Sequence, residues 1–294
     1  MEIQGPAASG KTHLIYRFTI QCILPEKVPL SERYIPSEVE IGGWERAAII
    51  MDTDGRWSVQ RLRSLLTKRL ERALPVAQPD SRHLIQQIVT ESLRRVHIFR
   101  VKSSASLAAT LLHLPVYHSQ HMADEEIALL AIDSIGSFYW VDRYDLEQRQ
   151  RASDRKEKEN PLSRILIALQ EFRLSYGPAI VLTNWGLTPL PKTSDVEDKA
   201  QSQSPFYRQH LHPFPAPFEN PPRTLPNAQL MPPITHHITL TLPPFHPFPL
   251  SMMNLQDALE ESDRGSPKAR GSVTGLLRIV ETGTTAMFSI ESFD

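Results

Sequence analysis

Residues 2–12 read Glu2-Ile3-Gln4-Gly5-Pro6-Ala7-Ala8-Ser9-Gly10-Lys11-Thr12, and the last eight form a complete G-x-x-x-x-G-K-[ST] phosphate loop. In such a loop the two glycines let the backbone curl until successive N–H groups point inward. The lysine sets a point charge against the β- and γ-phosphates, and the hydroxyl residue ligands Mg²⁺. Those roles fall to Gly5, Gly10, Lys11 and Thr12, while Pro6, Ala7, Ala8 and Ser9 supply the backbone between them. Leu14, Ile15, Phe18 and Cys22 recur at helical spacing before Pro25, which predicts a helix whose positive N-terminal end faces the same phosphates. A phosphate loop springs from a buried parallel strand, and only Glu2, Ile3 and Gln4 remain to form it. This predicts either a stub strand or a start at an internal methionine of a longer protein, and we expect the second.

Working outward, apolar strand-like runs alternate with helical patterns as far as Thr183, the signature of an α/β fold with a parallel sheet and crossover helices. The first clear strand is Ala47–Met51. A helix is expected over Ser58–Leu74, with Val59, Leu62, Leu65, Leu66 and Leu70 on one face, and another over Leu84–Arg95. A strand at Val96–Val101 leads to a helix capped by Ser103 and running through Leu114. Strand Ile127–Ile132, an amphipathic helix over Leu162–Leu174 and strand Ala179–Leu182 follow. Of 25 prolines, fifteen lie between Pro189 and Pro249, and proline forbids regular structure over most of such a stretch. We therefore expect an irregular, disordered insert over 186–235 and a second irregular loop over 243–272, separated by a strand at His236–Leu242. Strands Gly275–Glu281 and Thr285–Glu291 close the chain as a hairpin around Thr282-Gly283-Thr284.

Two strands end in acids. The run Ala128-Leu129-Leu130-Ala131-Ile132-Asp133 would place one carboxylate beside the loop, where it holds Mg²⁺ through water. Alone this is a weak signal, because many buried strands end in Asp; behind a phosphate loop it is strong. In Ile50-Met51-Asp52-Thr53-Asp54-Gly55 a carboxylate could orient an attacking water, or Asp52 or Asp54 could simply cap the next helix.

The formal net charge is −1, so no bulk cationic field attracts nucleic acid. A single cysteine, Cys22, excludes an intrachain disulfide framework and suits a reducing compartment. No apolar run approaches a membrane span, which predicts a soluble intracellular protein. The histidines of the proline-rich part have no metal-ligand spacing with cysteine, so zinc is not expected. The mixed-charge run Arg149–Glu159 reads as a solvated helical face.

The set Gly-Pro-x-x-x-Gly-Lys-Thr, Asp-Thr-Asp-Gly, Ile-Asp-Ser and Thr-Asn, in that order and at these separations, resembles the RecA-like ATPase core of the eukaryotic recombinases. The run Ile132–Arg143, with Cys22-Ile23-Leu24-Pro25 and Asp52-Thr53-Asp54, is similar to a recombinase paralogue. The likeness covers Glu2–Asn184 and resumes over His236–Leu242 and from Gly275 onward. It implies one RecA-like domain over 1–294 with a mostly parallel central sheet, helices on both faces and a C-terminal β-hairpin. It also implies ATP and Mg²⁺ as ligands, other recombinase paralogues as hetero-oligomeric partners, DNA repair by homologous recombination as the role, and the nucleus as the compartment.

The resemblance is imperfect at two positions. Active recombinases of this type carry glutamate where Asp54 stands; a carboxylate one methylene shorter is withdrawn by about 1 Å, which can cost on the order of 10²-fold in rate. The family's glutamine after Thr-Asn is replaced by Trp185, which lacks the amide's hydrogen bonds. Nucleotide binding with slow or uncoupled hydrolysis is the expectation, with Asp54 as the water-orienting residue. DNA binding by the chain alone should be weak, and the expected binding surface is Ile15–Pro25 with the helix Ser58–Leu74. The aromatics Phe206, Tyr207, Phe214 and Phe218 of the insert could stack on bases, or the insert is a plain disordered loop. A stand-alone phosphate-loop kinase would need a lid with clustered arginines, and none is placed for that role.

Overall fold

Strands that are apolar at every position belong inside a sheet covered on both faces, and Ala47-Ala48-Ile49-Ile50-Met51 is one. In the computed structural model, which describes residues 1–31, 36–74, 79–152, 161–186, 234–241, 256, 273–279 and 281–290, that run is the fourth strand. The first half of the chain forms β1 (Glu2–Gly5), α1 (Lys11–Ile23), β2 (Lys27–Ser31), β3 (Pro36–Glu40), β4 (Ala47–Asp52), α2 (Val59–Ala73), α3 (Pro79–Arg94) and β5 (Val96–Arg100). The remainder forms α4 (Ser104–His121), β6 (Ile127–Asp133), α5 (Tyr139–Ala152), α6 (Pro161–Tyr176), β7 (Ala179–Trp185), β8 (His236–Thr241), β9 (Val273–Ile279) and β10 (Thr285–Ile290). The proline-rich insert and the second loop lie outside the described residues over 187–233 and 243–272, save residue 256.

Eight strands share one sheet in the order β10-β9-β8-β1-β7-β6-β4-β5. From β8 to β5 all neighbours are parallel, and β9 and β10 extend the sheet as an antiparallel hairpin. Side chains alternate across it: Ala48, Ile50, Leu129, Ala131 and Val181 pack with α1, α2 and α3 on one face, while Ile49, Met51, Leu130, Ile132 and Leu182 pack with α4 and α6 on the other. The α/β class, the mostly parallel sheet, the helices on both faces and the closing hairpin are as expected, and they make a RecA-like core. Among the described residues, no helix is long and apolar enough to cross a membrane.

Four local features depart from expectation. The ribbon β2–β3 precedes the first expected strand; its Pro29 and Pro36 argue against a strand in a central sheet but are tolerated in a two-stranded ribbon, where every strand is an edge. In α2 the inward stripe is Leu62, Leu66 and Leu70, whereas Val59 is 44% exposed. The place ahead of that helix is filled by buried Trp57, stacked on Tyr16 with ring centroids 4.0 Å apart. Helix α3 begins earlier, at Pro79, since a proline at the first helical position loses no hydrogen bond. Helix α4 runs past Pro115 to His121, forfeiting one backbone bond there. Its start is a capping box in which the Ser103 hydroxyl accepts from Ser106 N at 3.1 Å and Ser106 Oγ accepts from Ser103 N at 3.0 Å. Its end is secured by His118 Nε2, which donates to the Glu125 carbonyl at 2.9 Å.

Candidate nucleotide site

The parallel strands β1, β4, β6 and β7 all end on one side of the sheet, where parallel α/β sheets hold their ligands. There β1 gives way to the 5–12 loop, which turns through left-handed backbone at Ala8 (φ 59°) and Gly10 (φ 89°). A Cβ on Gly5 would come within 2.5 Å of Ser9 Oγ and 2.8 Å of the Leu240 carbonyl, so the loop packs too closely on β8 for any side chain there. Ser9 is fully buried, and its hydroxyl has no partner among the described residues. Gly10, the N-cap of α1, brings no side-chain hydrogen bond, and the first turn carries no acid, so the end of the helix dipole is open toward the loop.

Lys11 folds back over its own loop. Its Nζ donates to the carbonyls of Gly5 at 2.9 Å and Pro6 at 2.6 Å. Burial lowers its pKa, and the carboxylates of Asp133 and Asp54 oppose that shift, so both acids lie within electrostatic reach of the ammonium. Thr12 Oγ1 donates to Asp133 Oδ2 at 2.7 Å, and Thr183 Oγ1 donates to Asp133 Oδ1 at 2.6 Å. The carboxylate thus joins α1, β6 and β7 at one point.

Asp52 and Asp133 pair in register across β4 and β6, yet their tasks differ. Asp52 is buried, and its oxygens accept from Arg56 N at 3.1 Å and Trp57 N at 3.3 Å. It ties the turn ahead of α2, while the helix itself is capped by Ser58, which accepts from Arg61 N at 3.3 Å. Asp54 is exposed and accepts a short hydrogen bond from Ser137 Oγ. Thr53 stitches the two strand ends together: its N donates to the Asp133 carbonyl at 3.0 Å, and its hydroxyl accepts from Ser134 N at 2.6 Å.

Trp185 pairs in register with Gly5, so the residue standing where a glutamine was expected borders the loop. Beneath it lies a buried polar row that sequence reasoning missed. Asn184 Nδ2 donates to Glu2 Oε1 at 3.0 Å, and Asn184 Oδ1 accepts from Trp185 N at 2.8 Å. His237 Nε2 lies 3.2 Å from Gln4 Oε1 and 3.6 Å from Glu2 Oε2, and its Nδ1 lies 3.3 Å from the Thr239 hydroxyl. Burial, helped by the charges of Arg278 and the N-terminal ammonium, pushes the His237 pKa down to about 4, so the ring is neutral at pH 7 and its contact with Glu2 is not an ion pair. With Nδ1 accepting from Thr239, the proton sits on Nε2, facing Gln4 and Glu2.

The chain was compared with known proteins. It is 30% identical over 142 residues to the DNA repair protein XRCC2 of Mus musculus, a match covering 48% of this chain and 41% of that protein. It is 24% identical over 206 residues to the XRCC2 homolog of Arabidopsis thaliana, covering 62% of this chain and 53% of that one. The similarity is to XRCC2 proteins. A third relative, RAD51 homolog 3 of Dictyostelium discoideum, is 24% identical over 154 residues, with 51% of this chain and 36% of that protein covered. The chain spans about half the length of the two XRCC2 relatives. No protein-family model matches it.

In this chain the fold brings Gly5–Thr12, Asp133 and Asp54 to one place. Of the residues missed, Thr183 stood in the Thr-Asn motif, where its hydroxyl was a signal. Glu2 and Gln4 announced themselves only as the polar half of an alternating strand.

Proposed function

We propose that the chain binds Mg·ATP at the 5–12 loop and Asp133, and serves in the nucleus as an accessory, damage-sensing subunit that acts with other RAD51 paralogues in homologous recombination repair of DNA double-strand breaks. The observation that carries the nucleotide half is the cradle itself: a fully buried Ser9 hydroxyl with no partner among the described residues, an uncapped helix start, and Lys11 donating to loop carbonyls beside two carboxylates. Such a set suits a polyanion with a hard divalent cation. The nucleotide would supply the phosphoanhydride bond and, with Mg²⁺, the charge that this cradle balances. Gly5, Pro6, Ala7, Ala8, Ser9 and Gly10 would enclose the phosphates with backbone N–H groups, and Lys11 would exchange its carbonyl partners for them. Thr12 and Asp133 would hold the metal, Asp133 through water, and Asp54 is the carboxylate left to orient a water. The repair half rests on the names borne by the relatives. The same names leave the stand-alone kinase reading without support.

Mg·ATP should raise the melting temperature of the chain, since a ligand at about 100 times its Kd adds roughly 2.7 kcal/mol. Lys11→Ala should remain folded and lose that shift, and equal shifts in the two proteins would refute the assignment. Capture of the tagged chain from its native cells should bring down other RAD51 paralogues, and recovery with metabolic enzymes alone would return the kinase reading.

A further inference from the structure

Helices α1 and α2 enclose a groove of about 150 Å³ on the outer surface of the molecule. Its floor includes Ile20 and Leu65, both partly buried against the core beneath. Its rim carries Arg17, Lys68, Arg69 and Arg72. The charge is local: α1 has no acidic residue, and α2 has five basic residues against Glu71 alone, in a chain whose net charge is −1. None of the loop residues that hold the candidate nucleotide site lines this groove, except that His13, one residue beyond Thr12, marks one end.

We propose that the α1–α2 groove is a docking site for an acidic, amphipathic segment of a partner protein, which sets an apolar side chain on Ile20 and Leu65 and its carboxylates against the four rim cations. Charge complementarity fixes the sign of the occupant. The apolar floor then separates the two classes of polyanion. A phosphodiester backbone has no group to place on Ile20 and Leu65 and would leave that floor wet, whereas a helix with leucine or phenylalanine at i, i+3 and i+4 covers it. In such a contact the floor supplies the residence time, and the rim supplies steering and salt dependence.

The test uses the full chain and three labelled probes, followed by fluorescence anisotropy. One is a short peptide of Asp, Glu, Leu and Phe with its apolar residues at helical spacing; the second is its twin with every Leu and Phe replaced by Ser; the third is a short DNA duplex. The amphipathic peptide should bind, the serine twin should bind about tenfold more weakly or worse, and the duplex should not compete at physiological salt. The double variant Lys68→Glu/Arg69→Glu should weaken the amphipathic peptide by about tenfold or more while keeping the parent's thermal shift with Mg·ATP, so this result stands apart from the nucleotide assignment. Leu65→Ser should act likewise, and where that variant fails to fold, the serine twin probes the floor instead. Equal binding of the two peptides, binding of the duplex in place of the peptide, or no binding of any probe overturns the proposal.

Discussion

Strands β6 and β1 flank β7 in the same sheet and are buried to a similar degree, yet opposite means hold them there. On β6, Leu129 and Ala131 face one core, and Leu130 and Ile132 face the other. On β1 only Ile3 has an apolar partner set, and Glu2 and Gln4 face Asn184, His237 and Thr239 instead. Apolar burial is graded, because each lost methylene costs its transfer term and some cavity. A polar row behaves differently. Satisfied, it adds little net stability, but the loss of one member strands the next in a medium that cannot solvate it.

The largest effect should come from the apolar strand. Leu130→Ala, at a fully buried position, should lower the unfolding free energy in urea by about 2–5 kcal/mol with the m-value unchanged. A loss below about 1 kcal/mol would mean that the second core is loosely packed at β6.

The polar row should reveal itself through pH. Its His237 has a pKa of about 4 in the fold against 6.5 when unconstrained. In acid the unfolded chain therefore takes up a proton that the folded chain refuses. The contribution of His237 is complete above pH 6.5 and drains away as pH falls toward 4, by at most roughly 3 kcal/mol. His13 and His97 are shifted in the same direction by burial, so the quantity to follow is the difference between the parent and His237→Gln across that interval. Identical slopes in the two proteins would show that His237 has the same pKa in the folded and unfolded chain.

Asn184→Leu should cost about 1–3 kcal/mol, because it fills the same space but leaves Glu2 without its amide donor. If Glu2→Leu combined with Asn184→Leu recovers much of that loss, the penalty belongs to the stranded carboxylate rather than to shape. The smallest effect should be that of Thr183→Val, about 1 kcal/mol, since Asp133 keeps Thr12 as a donor. A loss as large as that of Leu130→Ala would place Asp133 within the polar network on which the sheet depends.

What the sequence revealed follows the same division. The loop 5–12, the Ser103 cap and the apolar strand ending at Asp133 depend on short-range spacing, so they could be read directly. Helix α4 beyond Pro115 and the β2–β3 ribbon were hidden because proline weighs against both, and its cost was borne by tertiary context. The inward row was hidden for a stronger reason. A buried Glu2 makes sense only beside Asn184 and His237, and no local window spans the 233 residues between Gln4 and His237. At the site itself the acids were legible as strand ends. That Asp52 anchors a turn while Asp54 meets Ser137 depends on backbone geometry that residue identity does not encode.

The central seat of β1 also sets a timetable for synthesis. Its neighbours on either side, β7 and β8, come from far along the chain: Gln4 and Trp185 are 181 residues apart, and Gln4 and His237 are 233. At about 5–20 residues per second, roughly 10–50 s pass between translation of β1 and translation of its second neighbour. Until that second neighbour follows, the strand bearing the loop keeps one open hydrogen-bonding edge, and Gln4 awaits His237. The loop leaves the ribosome before either neighbour of its strand and takes its final shape only once both have followed.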